Sequence, residues 1–544
     1  MPHIEIDKRE FDELVGEKIS EEKLDEKASF LGAHWNHVEG PKWDVESYPN
    51  RPDLLSVEGL ARAYRGFFDV DTGLEKYTPL KEGDITVEVD SSVEEVRPYI
   101  GGAVVTGLEL TEKKINGLIQ LQEKLHETMG RQRDKLAIGL HDLEEVEPPF
   151  TYRAVEPEKV SFTPLEYDRE MQLGEILEEH EKGQDYSWIL EDEDTYPIIE
   201  DSEGKVLSFP PIINNQLTEV TNETRDIFID VTGKDKDTVQ KCLNILATAL
   251  AERKGTVETV TVNGEKMPHL SPEEKELDVE YFREISGLEL SKDEIVERLE
   301  KMKFGAKKKK DKIRVKVPCY RNDIMHQYDL IEDIVIAHGY DNIEPEMPEI
   351  DQVSSQKDIE EISQLAQESL VGAGALETHT YILSSKEKLY DRMEMDEMKT
   401  VEMSNALTED YTCVRTWLLP TMLEVLKENR QHSYPQEFFE AGDVAIPVSE
   451  NNAENRRKLA YVKSGNETDF TDAREKLQVL ERDLGIELEV VESQESCFRK
   501  DRSAKIVSKG EEVGLIGEFS EEVCSNWELQ RKVSGFEIDL EKIK

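Results

Sequence analysis

The stretch Val317–Gly339, VPCYRNDIMHQYDLIEDIVIAHG, carries a helical repeat that ends on a glycine. From Tyr328 to His338 the apolar residues Leu330, Ile331, Ile334 and Val335 fall on one side of a 3.6-residue helix. Asp329, Glu332 and Asp333 share the opposite side. Asp323 stands where a helix start is expected, and Gly339 where the helix stops. Asp323, Asp329, Glu332 and Asp333 together form a candidate set for a divalent cation. Hard, oxygen-seeking Mg²⁺ suits such carboxylates and keeps several of its waters. A plain solvated face gives the same spacing in so acidic a chain, with Asp323 an ordinary N-cap.

Just upstream, Lys301–Lys316 holds nine basic residues against one acid, Asp311. The alternation of Ile313, Val315 and Val317 with Lys312, Arg314 and Lys316 predicts a β-hairpin with one solvated face. A contact for RNA phosphate or for an acidic partner is the other reading. Helix, hairpin and acidic helix make a small block over 273–345, between a linker at Pro268–Pro272 and Pro345–Pro348. Residues 1–85 mix short helices with the turn-rich SYPNRPDLLSVEGLARAYRGF (Ser47–Phe67), whose end predicts an amphipathic helix. Residues 86–267 contain the strand ITVEVD and a helix predicted from Thr111 to about Arg133. The strand FIDVT follows there, then a helix over Thr238–Arg253. Residues 350–544 alternate helix and strand, including a helical repeat over Leu418–Asn429 and the strand QEFFEAGDVAIP.

The 544 residues carry 120 acids and 68 bases, a formal net charge of −52 spread along the whole chain. Such self-repulsion is relieved by salt, and it fits a protein from the salt-loaded cytoplasm of a halophile. It argues against general affinity for nucleic acid, so RNA contacts would rest on local basic patches. Five cysteines, at 242, 319, 413, 497 and 524, form neither a zinc pair nor a disulfide framework. No run of 18 apolar residues is present and the N-terminus lacks a signal sequence, so a cytoplasmic protein without membrane contact is expected. His126–Glu127 begins an HExxH, but Gly130 takes the place of the second histidine, and zinc-protease chemistry is excluded. Neither a GxxxxGK[ST] phosphate loop nor a GxSxG elbow occurs.

With these segments in order, the chain resembles the beta subunits of phenylalanine–tRNA ligase in their shorter archaeal and eukaryotic form. The carriers are NRPDLLSVEGLARAYRGF, SFPPIINNQLTEVT with TRDIFIDVTG, YRNDIMHQYDLIEDIVIAHGYDNI, and MSNALTEDYTCVRTWLLPTMLEVLKEN with FFEAGDV. The resemblance runs from end to end. It implies an α+β multidomain chain with an N-terminal α/β region (1–85) and an editing module (86–267). A small winged-helix-like module with the acidic helix (273–345) follows. A C-terminal class II synthetase-like antiparallel sheet with helices (350–544) completes the chain.

The same resemblance implies that an alpha subunit holds the aminoacylation site and binds ATP and L-phenylalanine. The two chains would assemble as a heterotetramer of two alpha and two beta that charges tRNA(Phe). Class II enzymes place an arginine two residues before a glutamate to grip the ATP phosphate, whereas Phe438 precedes Glu440 here. The C-terminal block is therefore expected to lack ATP chemistry, and no aminoacylation residue is assigned to this chain. The acidic quartet resembles the family's magnesium site, a structural Mg²⁺ near the alpha contact.

Tyrosine is phenylalanine plus a hydroxyl, which an apolar pocket rejects by only about 10²-fold, so Tyr-tRNA must be cleared by hydrolysis. By resemblance the clearing pocket comprises Ser208, Pro210, Pro211, Asn214, Asn215, Asp230, Thr232 and Gly233, with Asp230 accepting the phenol. As ordinary structure, the prolines and asparagines are turn residues and Asp230 a strand-end cap. The NRPDLL segment and Gly139–Asp142 (GLHD) gain no chemistry from the sequence. A non-catalytic acidic scaffold and a stand-alone editing hydrolase are the competing readings.

Overall fold

In the computed structural model, residues 2–78 and 80–543 are described. The chain divides into two compact units, Met1–Met347 and Pro348–Lys544.

The first unit begins with a three-stranded antiparallel sheet in which Lys42–Ser47 lies between His3–Asp7 and Ala33–Glu39. The NRPDLL segment leads into the helix Val57–Phe67, capped by Ser56 on the Gly59 amide. This helix is the hub of the unit. Glu58 pairs with Arg253, Arg65 with Glu75 and Glu252, and Arg62 lies 3.5 Å over the Tyr320 ring. Gly59 and Gly66 let it close up, since a Cβ would sit 1.7 Å from Asp53 O and 2.4 Å from Lys301 O respectively. Three stretches far apart in sequence thus meet on one helix, which accounts for the polar residues of that segment.

The second part of this unit is a ten-stranded sheet. Its path runs Ile213–Asn214, Val206–Phe209, Tyr196–Glu200, Phe150–Val155, Thr86–Val89, Thr256–Val262, Tyr99–Thr106, Ile227–Gly233 and Leu136–Asp142, with Glu265–Met267 paired to Thr256–Val262. The sheet curls until its ends meet, and Asn214 Nδ2 donates to Leu140 O at 3.4 Å across the gap. The helix Lys236–Glu252 packs beside it, with Val239, Leu243, Leu246 and Leu250 in the core. The helix expected to reach Arg133 ends at Glu127, and Arg131, Gln132 and Arg133 take left-handed φ values of 47°, 57° and 69°.

The third part opens with the strand Glu273–Asp278 rather than a helix. Lys312–Val317 lies between it and Gly305–Lys309, with Ile313, Val315 and Val317 buried as the alternation predicts. The acidic helix spans Gln327–His338 and stops at Gly339. Its N-cap is His326, not Asp323, because the imidazole Nδ1 accepts from Tyr328 N and Asp329 returns the bond to His326 N. Most of the basic island is neutralised locally: Lys301 pairs with Asp69, Lys303 with Glu75, Lys308 with Asp293, and Lys309 and Lys312 with Glu276.

The second unit is a seven-stranded sheet over Leu376–Glu377, Gln436–Ser449, Asn452–Gly465, Lys532–Asp539, Glu511–Phe519, Phe498–Ser508 and Glu489–Glu492. It is mixed rather than purely antiparallel, because Leu376–Glu377 runs parallel to Gln436–Ser449. Helices Asp358–Gly372 and Phe470–Leu484 contribute to one apolar core, and Leu419–Glu428 to another. Phe438 is packed among Leu418, Met422 and Val462. Glu440, fully buried, accepts from Arg415 at 2.8 Å and from Thr380 at 2.6 Å. The Glu440 carboxylate thus closes an internal ion pair with Arg415.

Candidate functional site

A cavity of about 530 Å³ opens where the curled sheet comes together, and Ser208, Pro210, Pro211, Asn214, Asp230 and Thr232 all line it. Asp230 and Thr232 are i and i+2 on Ile227–Gly233 and so share its cavity face. The other two residues of the expected set do different work. Asn215 Oδ1 caps the turn Gln216–Thr218 and its Nδ2 donates to Val206 O at 2.6 Å. Gly233 gives close packing, since a Cβ would lie 2.7 Å from Val239 and 2.8 Å from Lys135 O.

The polar groups of the cavity have distinct roles. Asp230 is 1 % exposed, and its Oδ2 lies 2.8 Å from His141 Nε2. Among the described residues its other oxygen has no hydrogen-bond partner, and Asp230 lines the cavity. Ser208 Oγ is buried and, among the described residues, has no hydrogen-bond partner, an arrangement that a bound ligand's polar group would relieve. Arg97 Nε donates to Thr232 Oγ1 at 3.1 Å, which leaves the hydroxyl proton for the cavity. Burial pulls the Arg97 guanidinium down to about 10, so it stays charged at neutral pH. Its remaining donors hold Arg133 O, Asp134 O and Thr232 O and thereby fix the left-handed turn. That turn delivers Arg133 to the cavity wall, where it bonds Glu123 at 2.8 Å and Ile212 O at 2.8 Å.

His126, dismissed as half of a zinc motif, is part of this wall's support. Its Nε2 accepts from Ile138 N at 2.8 Å and so ties the helix Glu112–Glu127 to the strand Leu136–Asp142. Burial lowers its pKa to about 4, with the Arg133 and Arg97 charges adding to the shift against the opposing pull of Glu123. The Glu123 carboxyl, although burial opposes it, is held at about 2 by His126 and Arg133. The sequence reading missed Gly139, His141, Arg97, Glu123, Arg133 and His126 as contributors. The GLHD tetrapeptide, a glycine and a histidine alternating on one strand face, was the available signal.

A second cavity, of about 540 Å³, lies in the same unit between Asn50–Arg51 and the acidic helix, and Asp323, Asp329, Glu332 and Asp333 all line it. They do not form a chelate. Arg321 donates at 2.6 Å to both Asp323 and Asp333. Burial works against the Asp323 anion, yet Arg321 holds its carboxyl below the ordinary carboxylate range. Burial and the Asp323 charge push Asp333 up. One guanidinium thus serves two acids. Asp329 Oδ2 accepts from Met325 N and His326 N, each at 2.7 Å, and Glu332 is exposed. Among the described residues no three His, Cys, Asp or Glu side chains come close enough to hold a metal ion. The carboxylates therefore do not fit four-fold direct coordination of Mg²⁺ as they stand. Also among the described residues, no helix is long and apolar enough to cross a membrane, and all five cysteines are unpaired.

Comparison with known proteins accounts for both units. Residues 109–254 match the B3/4 domain, 275–340 the tRNA synthetase B5 domain, and 343–540 the phenylalanyl tRNA synthetase beta chain CLM domain. The phenylalanine–tRNA ligase beta subunit of Archaeoglobus fulgidus is 43 % identical, with 99 % of this chain and 98 % of the relative covered. That of Pyrococcus furiosus is 40 % identical over the full length of both. A crystal structure of an N-terminal fragment of the Pyrococcus horikoshii beta subunit matches with a TM-score of 0.60 at 41 % identity, covering 62 % of this chain and all of that one. With such relatives along its whole length, the chain belongs to the family of phenylalanine–tRNA ligase beta subunits, components of an aminoacyl-tRNA ligase.

Proposed function

We propose that this chain assembles with an alpha subunit, two of each, and that the complex attaches L-phenylalanine to tRNA(Phe) using ATP. In this reading the alpha subunit performs the activation, and the present chain clears mischarged Tyr-tRNA(Phe). The internal Arg415–Glu440 pair supports the first half, because Phe438 stands two residues before Glu440, where the class II pattern has its arginine, and Arg415 is already engaged. The editing half rests on one observation: a buried carboxylate, Asp230, facing a cavity whose walls include Ile115, Leu118 and Ile138. A tyrosyl ring entering there can donate its phenol proton to the free Asp230 oxygen. A phenylalanyl ring would leave that charge unpaired, which is the kind of discrimination that rejects the lesser substrate most strongly.

Thr232, polarised by Arg97, and Ser208 are the donors that would meet the ester carbonyl oxygen. Water attacks the carbonyl carbon, the bond to the ribose oxygen breaks, and that oxygen leaves with a proton. Arg133 and Glu123 line the same cavity and suit the terminal nucleoside. Deacylation of Tyr-tRNA(Phe) by the alpha–beta complex tests this reading. Asp230→Ala should leave Phe-tRNA formation intact and let Tyr-tRNA accumulate, and unchanged clearance would reject the assignment.

The magnesium reading is retained in reduced form. Asp329 and Glu332, which Arg321 leaves free, would hold a hydrated Mg²⁺ through its water shell. The ion would support the fold of this module.

A further inference from the structure

We propose that His141 is a positioning residue for tyrosine selectivity: it holds the Asp230 carboxylate in the one orientation that offers a single free oxygen to the cavity. This rests on the editing reading and adds to it a residue outside the cavity wall. His141 is fully buried and is absent from the residues that line the cavity. Its ring therefore cannot reach an ester, and a role as general base is excluded.

Both of its nitrogens are nevertheless engaged with cavity residues: Nε2 lies 2.8 Å from Asp230 Oδ2 and Nδ1 lies 2.8 Å from Thr218 Oγ1. With Nε2–H directed at the carboxylate, Nδ1 of the neutral ring is left to accept a hydrogen bond from the Thr218 hydroxyl, whose oxygen also lies 3.2 Å from Asn215 O. Thr218 sits in the turn Gln216–Thr218 that follows the cavity loop, so the chain of bonds ties that loop to the strand Ile227–Gly233. Among the described residues His141 is the sole hydrogen-bond partner of the Asp230 side chain.

The backbone is shaped around this bond. Gly139 pairs directly across the sheet with Asp230. A Cβ on Gly139 would lie 1.8 Å from Asp230 Oδ2 and 2.6 Å from His141 Nε2, so the bond occupies the space a side chain would need. A histidine that merely filled the core would not require that space. Fixing the carboxylate matters because selectivity depends on where the unpaired charge points. A carboxylate free to rotate no longer holds that charge against the phenylalanyl ring.

The test uses the full-length chain with its alpha subunit and measures hydrolysis of preformed Tyr-tRNA(Phe) and Phe-tRNA(Phe). His141→Asn keeps a polar group on the Thr218 side only, whereas His141→Gln places an amide N–H where Nε2–H was. The tyrosine-over-phenylalanine ratio of kcat/KM should fall on the order of 10- to 100-fold in His141→Asn and return to within roughly 3-fold of wild type in His141→Gln. Equal ratios in both variants and wild type, or losses shared equally by the two substrates, would overturn the proposal. If Asp230→Ala reduces tyrosine clearance while both His141 variants are silent, the editing reading stands and the positioning role is rejected. If Asp230→Ala is also silent, both are rejected.

Discussion

Gly139→Ala separates two physical effects of opposite sign. The residue is in the interior of Leu136–Asp142 and its φ is not positive, so alanine fits the backbone. On chain entropy alone the substitution stabilises by about 0.5–1 kcal/mol. The new methyl, however, would start 1.8 Å from Asp230 Oδ2. A carbon–oxygen contact needs roughly 3.3 Å, so the carboxylate must retreat by about 1.5 Å. That breaks the bond to His141, a loss of about 1.5–3 kcal/mol for a hydrogen bond to a charged group. The net expectation is about 0.5–2.5 kcal/mol of destabilisation, confined to the two strands that face each other at this point. A multidomain chain does not melt in one step, so amide hydrogen exchange within Leu136–Asp142 and Ile227–Gly233 is the suitable readout, beside the Tyr/Phe hydrolysis ratio. Faster exchange with reduced selectivity is expected. Slower exchange with selectivity intact would refute the reasoning, because entropy would then have outweighed the displaced carboxylate.

Two further outcomes follow from other parts of the same unit. Because the His126 pKa is lowered to about 4 from an unfolded value near 6.5, the unfolded chain binds the proton first. Its contribution to stability is present above about 6.5 and is lost as the pH falls towards about 4, on the order of 3 kcal/mol in all. Exchange of the Ile138 amide should accelerate through that window, and His126→Gln, whose Oε1 accepts the same N–H without titrating, should flatten the dependence; an unchanged slope would count against it. Calorimetric titration of the complex with Mg²⁺ should show weak binding that is abolished by Glu332→Gln together with Asp329→Asn and retained in Asp323→Asn. Loss in Asp323→Asn would instead mean that Arg321 moves aside to release its two carboxylates.

Local periodicity carried the sequence reading where contacts are local. The buried positions Leu330, Ile331 and Ile334, the stop at Gly339 and the Ile313/Val315/Val317 alternation all follow from spacing. The helix start was misplaced because an imidazole serves as the cap in place of the usual Asp, Ser or Thr. Asp333 shared a helical face with Asp329 and Glu332, yet it is buried, since Arg321 from outside the helix supplies its charge. For the cavity, Asp230 and its loop were legible only through resemblance. Gly139 and His141 were not, because which residue lies opposite Asp230 is set by strand register across nearly ninety residues, and a single sequence does not display register. The basic island shows the converse limit. A run of lysines leaves a solvated face and a binding patch equally open, and spacing alone does not reveal the folded partners Glu276, Asp293 and Asp69 beside it.

The Arg415–Glu440–Thr380 closure has a consequence for redesign. Placing arginine at Phe438 would not by itself create a phosphate grip, because the new guanidinium would enter the apolar cluster that includes Leu418, Met422 and Val462, on the strand whose Glu440 already has its counter-ion. The added charge would be buried without a partner of its own, which is strongly destabilising. A phosphate grip engineered into this unit would therefore need Phe438, Glu440 and Arg415 changed together rather than one at a time.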